Sequence, residues 1–271
     1  MMDRYAAMFD RLTQSGEGAF GAFVMLGDPT PDASAAILDA LVEGGADMIE
    51  VGIPFSDPIA DGPVIQAAAV RALRAGTTAA VCFDLLRAFR SRHSDVPVGI
   101  LTYANLVANR GRDAFYAACA DAGVDSVLVA DAPALETEPY AAAARARGVA
   151  HVMIAATNTP DVVLHRVAEL GRGYTYCLAR GGVTGVDADV ALDHGTLFST
   201  LAALGAPPPV LGFGISRPDQ VRAGLAAGAR GVISGSAIVQ RIAEHGHAAA
   251  GPVRAFVSSM KSATLRPIGD A

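Results

Sequence analysis

The residues best suited to proton chemistry lie in the stretch Met48-Ile49-Glu50-Val51-Gly52-Ile53-Pro54-Phe55-Ser56-Asp57-Pro58-Ile59-Ala60-Asp61-Gly62-Pro63. Residues 48–51 are an apolar run too short for a helix, which predicts a buried strand with Glu50 near its C-terminal end. An ionised carboxylate in a dry core is costly, so a buried Glu either takes up a proton through a raised pKa or faces a cavity where a ligand meets it. Pro54, Pro58 and Pro63 each fix φ and Gly62 permits turn geometry, so the loop is shaped to place Asp61 opposite Glu50. Carboxylates whose surroundings push their pKa values apart can serve as acid and base, and Glu50, on the buried strand, is expected to have the higher value. The competing reading makes Asp61 a cap for the next helix and Glu50 a strand-end residue without chemistry.

Other chemistries lack their residues. Lys261, on the last predicted helix, is the only lysine, so an inner-strand Schiff base is not available. The six histidines have no zinc-site organisation, and Cys82, Cys119 and Cys177 are scattered without paired spacing, so neither a metal nor a disulfide framework is expected. A net charge of -6 without a Lys/Arg run argues against nucleic acid or an anionic membrane as partner. No long apolar stretch or signal-peptide core is present, which predicts a cytoplasmic protein.

The elements that must position Glu50 and Asp61 repeat along the chain. Apolar runs at 21–26, 47–51, 98–102, 126–130, 151–155, 174–178, 210–213 and 231–234 read as strands. Helical patterns lie between and after them at 32–43, 64–74, 112–122, 136–147, 161–170, 193–204, 218–227 and 252–263. Such alternation implies a parallel sheet with right-handed crossovers, and at 271 residues with 52% hydrophobic content it predicts one (β/α)₈ barrel domain over residues 1–271. Two helices are extra: 3–14, expected to plug the barrel floor, and 78–92, after the second helix.

In a barrel the site sits at the C-terminal ends of the strands, with phosphate at the loops after strands 7 and 8. Gly212-Phe213-Gly214-Ile215-Ser216 and Ser234-Gly235-Ser236 occupy those loops, the second opening a helical run at 237–243. Glycine lets backbone N–H groups approach phosphate oxygens, and a helix N-terminus adds unpaired donors. Either motif alone is equally readable as a tight turn. The loop at 179–187, with Arg180, Thr184 and Gly185, reads as a lid whose Thr184 can bond a carboxylate. Tyr103, Leu128, Asp131, Ile154, Tyr176 and Phe213 lie at strand ends, where they can wall an apolar pocket or simply belong to the core.

With these motifs in order, the chain resembles the tryptophan synthase α subunit family over most of its length. The segment 50–63 carries the likeness most specifically. Tyr103-Ala104-Asn105, residues 125–131, Gly182-Val183-Thr184-Gly185, residues 212–216 and Ser234-Gly235-Ser236-Ala237 support it. The resemblance implies a TIM barrel that cleaves indole-3-glycerol phosphate to indole and glyceraldehyde 3-phosphate. Glu50 then matches the acid/base and Asp61 the group that stabilises charge at the indole N–H. Phe23, Leu128 and Phe213 match the indole pocket, and Gly185, Gly214, Gly235 and Ser236 the phosphate cradle.

The resemblance also implies a partner, a pyridoxal-phosphate β subunit in an α2β2 heterotetramer that takes the indole. Pro54, Asp57, Pro58 and Asn105 match regions touching it, and no cofactor is expected in this chain. Departures are Ala22 and Met25 for a proline and a threonine, Ala156 for a proline, and Ala179 and Gly181 for hydroxyl residues. Met25 is expected to narrow the pocket beneath Glu50. The changed lid leaves open a free-standing lyase, and a non-catalytic subunit that only binds the phosphate ligand is the remaining alternative.

Overall fold

The structure, a computed structural model, describes residues 3–178, 194–212 and 214–265. Its first half runs α1 (Arg4–Gln14), β1 (Ala19–Met25), α2 (Pro31–Glu43), β2 (Met48–Gly52), α3 (Pro63–Arg74), α4 (Ala79–Arg92), β3 (Val98–Thr102), α5 (Ala104–Arg110), α6 (Arg112–Asp121) and β4 (Ser126–Val129). Then follow α7 (Glu138–Ala146), β5 (Ala150–His151), β6 (Met153–Ala155), α8 (Asp161–Leu170), β7 (Thr175–Leu178), α9 (Gly195–Ala203), β8 (Pro209–Gly212), α10 (Pro218–Ala226), β9 (Gly231–Ser234), α11 (Ser236–His245) and α12 (Ala250–Lys261).

All strand pairs are parallel, in the order β5-β4-β3-β2-β1-β9-β8-β7-β6. Only Val152 separates β5 from β6, and the two fill the single position expected for a strand at 151–155. The first half of that position pairs with β4 and the second with β7, so residues 150–155 close the ring. The break is a change of partner, since the Val152 N–H still donates to the Val127 carbonyl at 3.0 Å. The result is the expected (β/α)₈ barrel, with α1 and α4 as the extra helices.

Several boundaries differ from the sequence reading. A further helix, α5, precedes the one expected at 112–122. Its seven residues are too few to show a period, and Gly111, at φ 83°, turns the chain from one helix into the next. The helix expected at 136–147 is α7, preceded by a 3-10 turn at 134–136. The strand expected to end at Phe213 ends at Gly212, and Phe213 lies outside the described residues, as does Asp193 at the start of the helix expected there.

Strand alternation sorts side chains into two apolar layers. On β1, Phe20, Ala22 and Val24 face the helices, whereas Ala19, Phe23 and Met25 face the barrel interior. On β2, Ile49 and Val51 face outward, which sends Glu50 inward beside Phe23, its register partner. The N-terminal end is closed by α1, whose Tyr5, Met8, Phe9 and Leu12 join the inner layer with Met48, Val152 and Tyr174. Burying a Met, Phe or Leu side chain contributes about 1.5–3 kcal/mol, so this floor is a substantial part of the barrel's stability. Gly99 sits opposite Glu50, where a Cβ would meet the Tyr5 and Ser126 hydroxyls, and their absence of obstruction lets those two bond at 2.8 Å.

Candidate active site

Glu50 is 2% exposed, and its Oε1 accepts a 2.6 Å hydrogen bond from the Tyr174 hydroxyl. Its Oε2 has no partner among the described residues. Burial raises its pKa from 4.5 to about 7, against a smaller lowering by the Tyr174 bond. Asp61 ends the proline-rich loop and is 9% exposed. Its backbone is held by Asp61 N–H to the Pro58 carbonyl at 3.1 Å and by Gln66 Nε2 to the Asp61 carbonyl at 2.7 Å. Gly62 and Pro63 then start α3, so the helix fixes where the loop stops. Burial raises the pKa of Asp61, and a hydrogen bond from Tyr103 lowers it.

Both carboxyls line one cavity with about 590 Å³ of empty space, its open mouth included. Phe23 and Tyr176 line it as expected, and so do Gly214, Gly235 and Ser236. Gly214 has φ 78°, and Gly235 is the N-cap of α11, whose first turn presents N–H groups that the helix itself leaves unpaired. The Ser234 hydroxyl donates to the Ile215 carbonyl at 2.6 Å and so ties the loops after β8 and β9 together. Backbone donors at a helix start are the kind of group that suits an anion, and the Phe23 ring offers an apolar face in the same cavity.

The family is settled by comparison. The profile described as tryptophan synthase alpha chain matches residues 9–264. The chain belongs to this family. A tryptophan synthase alpha chain of Klebsiella pneumoniae is 52% identical over 266 residues, which cover 97% of this chain and 99% of that one. One from Shewanella amazonensis is 52% identical, over 97% of this chain and 100% of its own. Among solved structures, Mycobacterium tuberculosis tryptophan synthase matches at a TM-score of 0.89, with 28% identity over 98% of this chain and 100% of that one. The tryptophan synthase α2β2 complex of Pyrococcus furiosus gives 0.80, with 33% identity over 90% and 98%.

Within this alpha-chain barrel, other expected pocket residues are placed differently. Tyr103 does not line the cavity; its hydroxyl bonds Asp61 and accepts the Ala60 N–H at 3.2 Å, and its ring lies 5.5 Å from that of Phe55. Leu128 and Ile154 pack within the inner layer, outside the cavity wall. Met25 likewise packs against Gly52, where a Cβ would lie 2.9 Å from its Cε, and it does not narrow the cavity. Arg180, Thr184, Gly185 and Phe213 lie outside the described residues, as do Ala179 and Gly181.

Ile65, Leu101, Ile215 and Ile233 line the cavity without having been singled out in the sequence. Nor was Tyr174, although it lies two residues before Tyr176 on β7's approach and so on the same face, one layer deeper. Of the residues expected at a partner contact, Asp57 and Asn105 are exposed, Pro58 is half-buried and Pro54 is buried. Ile59, between them, is 74% exposed. Among the described residues no helix is long and apolar enough to cross a membrane.

Proposed function

We propose that this chain, acting as one domain, performs the α reaction of tryptophan synthase, the retro-aldol cleavage of indole-3-glycerol phosphate to indole and glyceraldehyde 3-phosphate. The observation that carries this reading is a buried carboxyl with a pKa of about 7 in the cavity it shares with Asp61 and the glycine loops. Near neutrality both forms of Glu50 are populated, which suits a group that must first give a proton and then take one.

Protonated Glu50 delivers its proton to indole C3, making an indolenine whose C=N⁺ can accept an electron pair. Ionised Asp61 accepts from the ring N–H and balances that charge. The bond from C3 to the glycerol chain then breaks toward the ring and restores its aromaticity. Glu50, now a carboxylate, takes the proton of the adjacent hydroxyl as the aldehyde forms, and returns to its starting state. The ring is itself the electron sink, so the reaction calls for no cofactor in this chain. Phe23, Tyr176 and Phe213 are assigned to the indole side, Gly185, Gly214, Gly235 and Ser236 to phosphate, and Arg180 and Thr184 to the lid.

The product is taken up by a tryptophan synthase β subunit carrying the pyridoxal phosphate, in a cytoplasmic α2β2 assembly. Asp57, Asn105 and Ile59 are exposed and Pro58 is half-buried, which suits them to such contact, and Pro54 is buried in the same loop. Indole release by the purified chain is expected to be slow alone and to rise roughly tenfold or more when a β subunit is added. Fast release indifferent to the partner would point to an independent lyase, and none in either condition would leave only ligand binding.

Two substitutions test Asp61 and its support. Asp61→Asn is expected to lower kcat about 10²- to 10³-fold, the usual cost of losing one charge-stabilising group. Tyr103→Phe keeps the tilted ring contact with Phe55 but loses the bond to Asp61, so kcat is expected to drop roughly tenfold with little change in KM. Were Tyr103 only a pocket wall, the Phe variant would have wild-type kinetics.

A further inference from the structure

Asp131 is one of the strand-end residues that the sequence places either at a pocket wall or in the core, and it does neither. It is half-buried just beyond β4 and lines no part of the catalytic cavity. Its Oδ1 accepts the backbone N–H of Ala104 at 2.7 Å. Ala104 opens α5, a helix of seven residues. Helices this short are marginal on their own, so where α5 begins depends on bonds from outside it. Its N-cap residue, Tyr103, makes no side-chain cap bond, and Asp131 supplies one from another strand.

Tyr103 cannot cap α5 because its side chain is committed elsewhere. The hydroxyl donates to Asp61 and accepts the Ala60 N–H at 3.2 Å. Its backbone is bracketed by two bonds from the end of β4. Before it, the Thr102 carbonyl accepts the Ala130 N–H at 2.8 Å; after it, the Ala104 N–H goes to Asp131. The Tyr103 carbonyl accepts the N–H groups of Leu106 and Val107 at 3.1 and 3.4 Å, which makes it the origin of the first turn of α5. Of these bonds only that of Asp131 is made by a side chain. Asp131 forms no ion pair among the described residues, so charge neutralisation does not account for it.

We propose that Asp131 is a positioning residue for the α reaction: by fixing the start of α5 from the end of β4, it holds the Tyr103 hydroxyl on Asp61. This rests on the catalytic role given to Asp61 above. A carboxylate that only stabilised α5 would leave Asp61 and its chemistry unmoved when removed from a folded chain.

The test compares Asp131→Ala, Asp131→Asn and Ala104→Pro in the full chain. Ala104→Pro removes the donor and keeps every charge. It suits the position, since proline is favoured at the start of a helix and Tyr103, at φ −112° and ψ 149°, already has the conformation of a residue before proline. Asp131→Ala and Ala104→Pro are each expected to lower kcat for indole release about fivefold, with KM within about twofold of wild type. Asparagine retains the accepting oxygen, so Asp131→Asn should stay within about twofold of wild type. In a Tyr103→Phe background neither Asp131→Ala nor Ala104→Pro should lower kcat further, because their effect passes through the hydroxyl.

Carboxyl ¹³C NMR of the free chain reads the same coupling without turnover. In Ala104→Pro the pKa of Asp61 should rise toward its value in Tyr103→Phe, because the Tyr103 bond that lowers it is weakened. Wild-type kcat in both Asp131→Ala and Ala104→Pro, losses that persist in full in the Tyr103→Phe background, Asp131→Asn as impaired as Asp131→Ala, or an Asp61 pKa unmoved by Ala104→Pro would each overturn the proposal. A wild-type chain that releases no indole would instead overturn the α reaction, and the NMR shift would still decide the role of Asp131.

Discussion

Glu50→Gln is expected to lower kcat for indole release about 10³-fold or more, and at the same time to make the folded chain more stable at pH 8. Glutamine keeps the shape and can still bond the Tyr174 hydroxyl, but it can neither give a proton to carbon nor take one from a hydroxyl. KM should change by no more than a few-fold, because phosphate and ring contacts are elsewhere in the cavity. For wild type, kcat/KM should fall as pH rises through about 7, where the proton-donating form of Glu50 is lost, and this limb should be missing in the variant. Residual activity with the limb intact would assign the proton to another group.

The stability gain follows from the same pKa. In the unfolded chain Glu50 ionises near its ordinary 4.5, whereas in the folded chain it holds its proton until about 7. Between these values the folded state binds more protons than the unfolded one, so stability falls as pH rises through this window and stays lowered above it. A shift from 4.5 to about 7 corresponds to roughly 3 kcal/mol. Glutamine carries no such penalty. The difference between variant and wild type in denaturant unfolding should therefore be small near pH 4.5 and grow to about 3 kcal/mol by pH 8. A difference that does not change with pH would mean that Glu50 is not kept protonated by burial.

That the carboxyl pair could be read from the sequence at all has a simple cause. A strand's period of two fixes which side chains point inward, and a charged residue in an apolar run stands out against that pattern, as Glu50 does between Ile49 and Val51. Asp61 was legible because prolines and a glycine surround it, and these constrain the backbone whatever the tertiary context. The support beneath them was less legible. Tyr174 looks like any strand-end aromatic until α1 is folded under the barrel and brings Tyr5 to 5.4 Å from its ring. Tyr103 reads as a pocket wall because its strand-end position says nothing of the loop that reaches it, and its bond to Asp61 exists only once Ala60 and Asp61 are folded against its hydroxyl. The split at Val152 has no local signal either, since both halves are apolar and only the two neighbouring strands differ.

Gly212→Ala is expected to be strongly damaging to catalysis although it touches neither carboxyl. A Cβ at this position would lie 2.2 Å from the Tyr176 hydroxyl oxygen and 2.3 Å from its Cζ, well inside contact distance. Neither side yields easily. Gly212 ends β8 in register with Leu178, and Tyr176 is 5% exposed on the neighbouring strand. Relief requires the phenol ring to move by an ångström or more, into the cavity that it lines with Glu50 and Asp61. Overpacking of this kind destabilises by about 1–3 kcal/mol. The catalytic cost is larger, because displacing a wall of the site by about 1 Å can lower the rate about 10²-fold. The expected signature is thus a loss of kcat/KM for indole-glycerol phosphate of about two orders of magnitude in a chain that still unfolds cooperatively. Wild-type kinetics in Gly212→Ala would show that Tyr176 has room to retreat without entering the site, and would remove it from the indole wall.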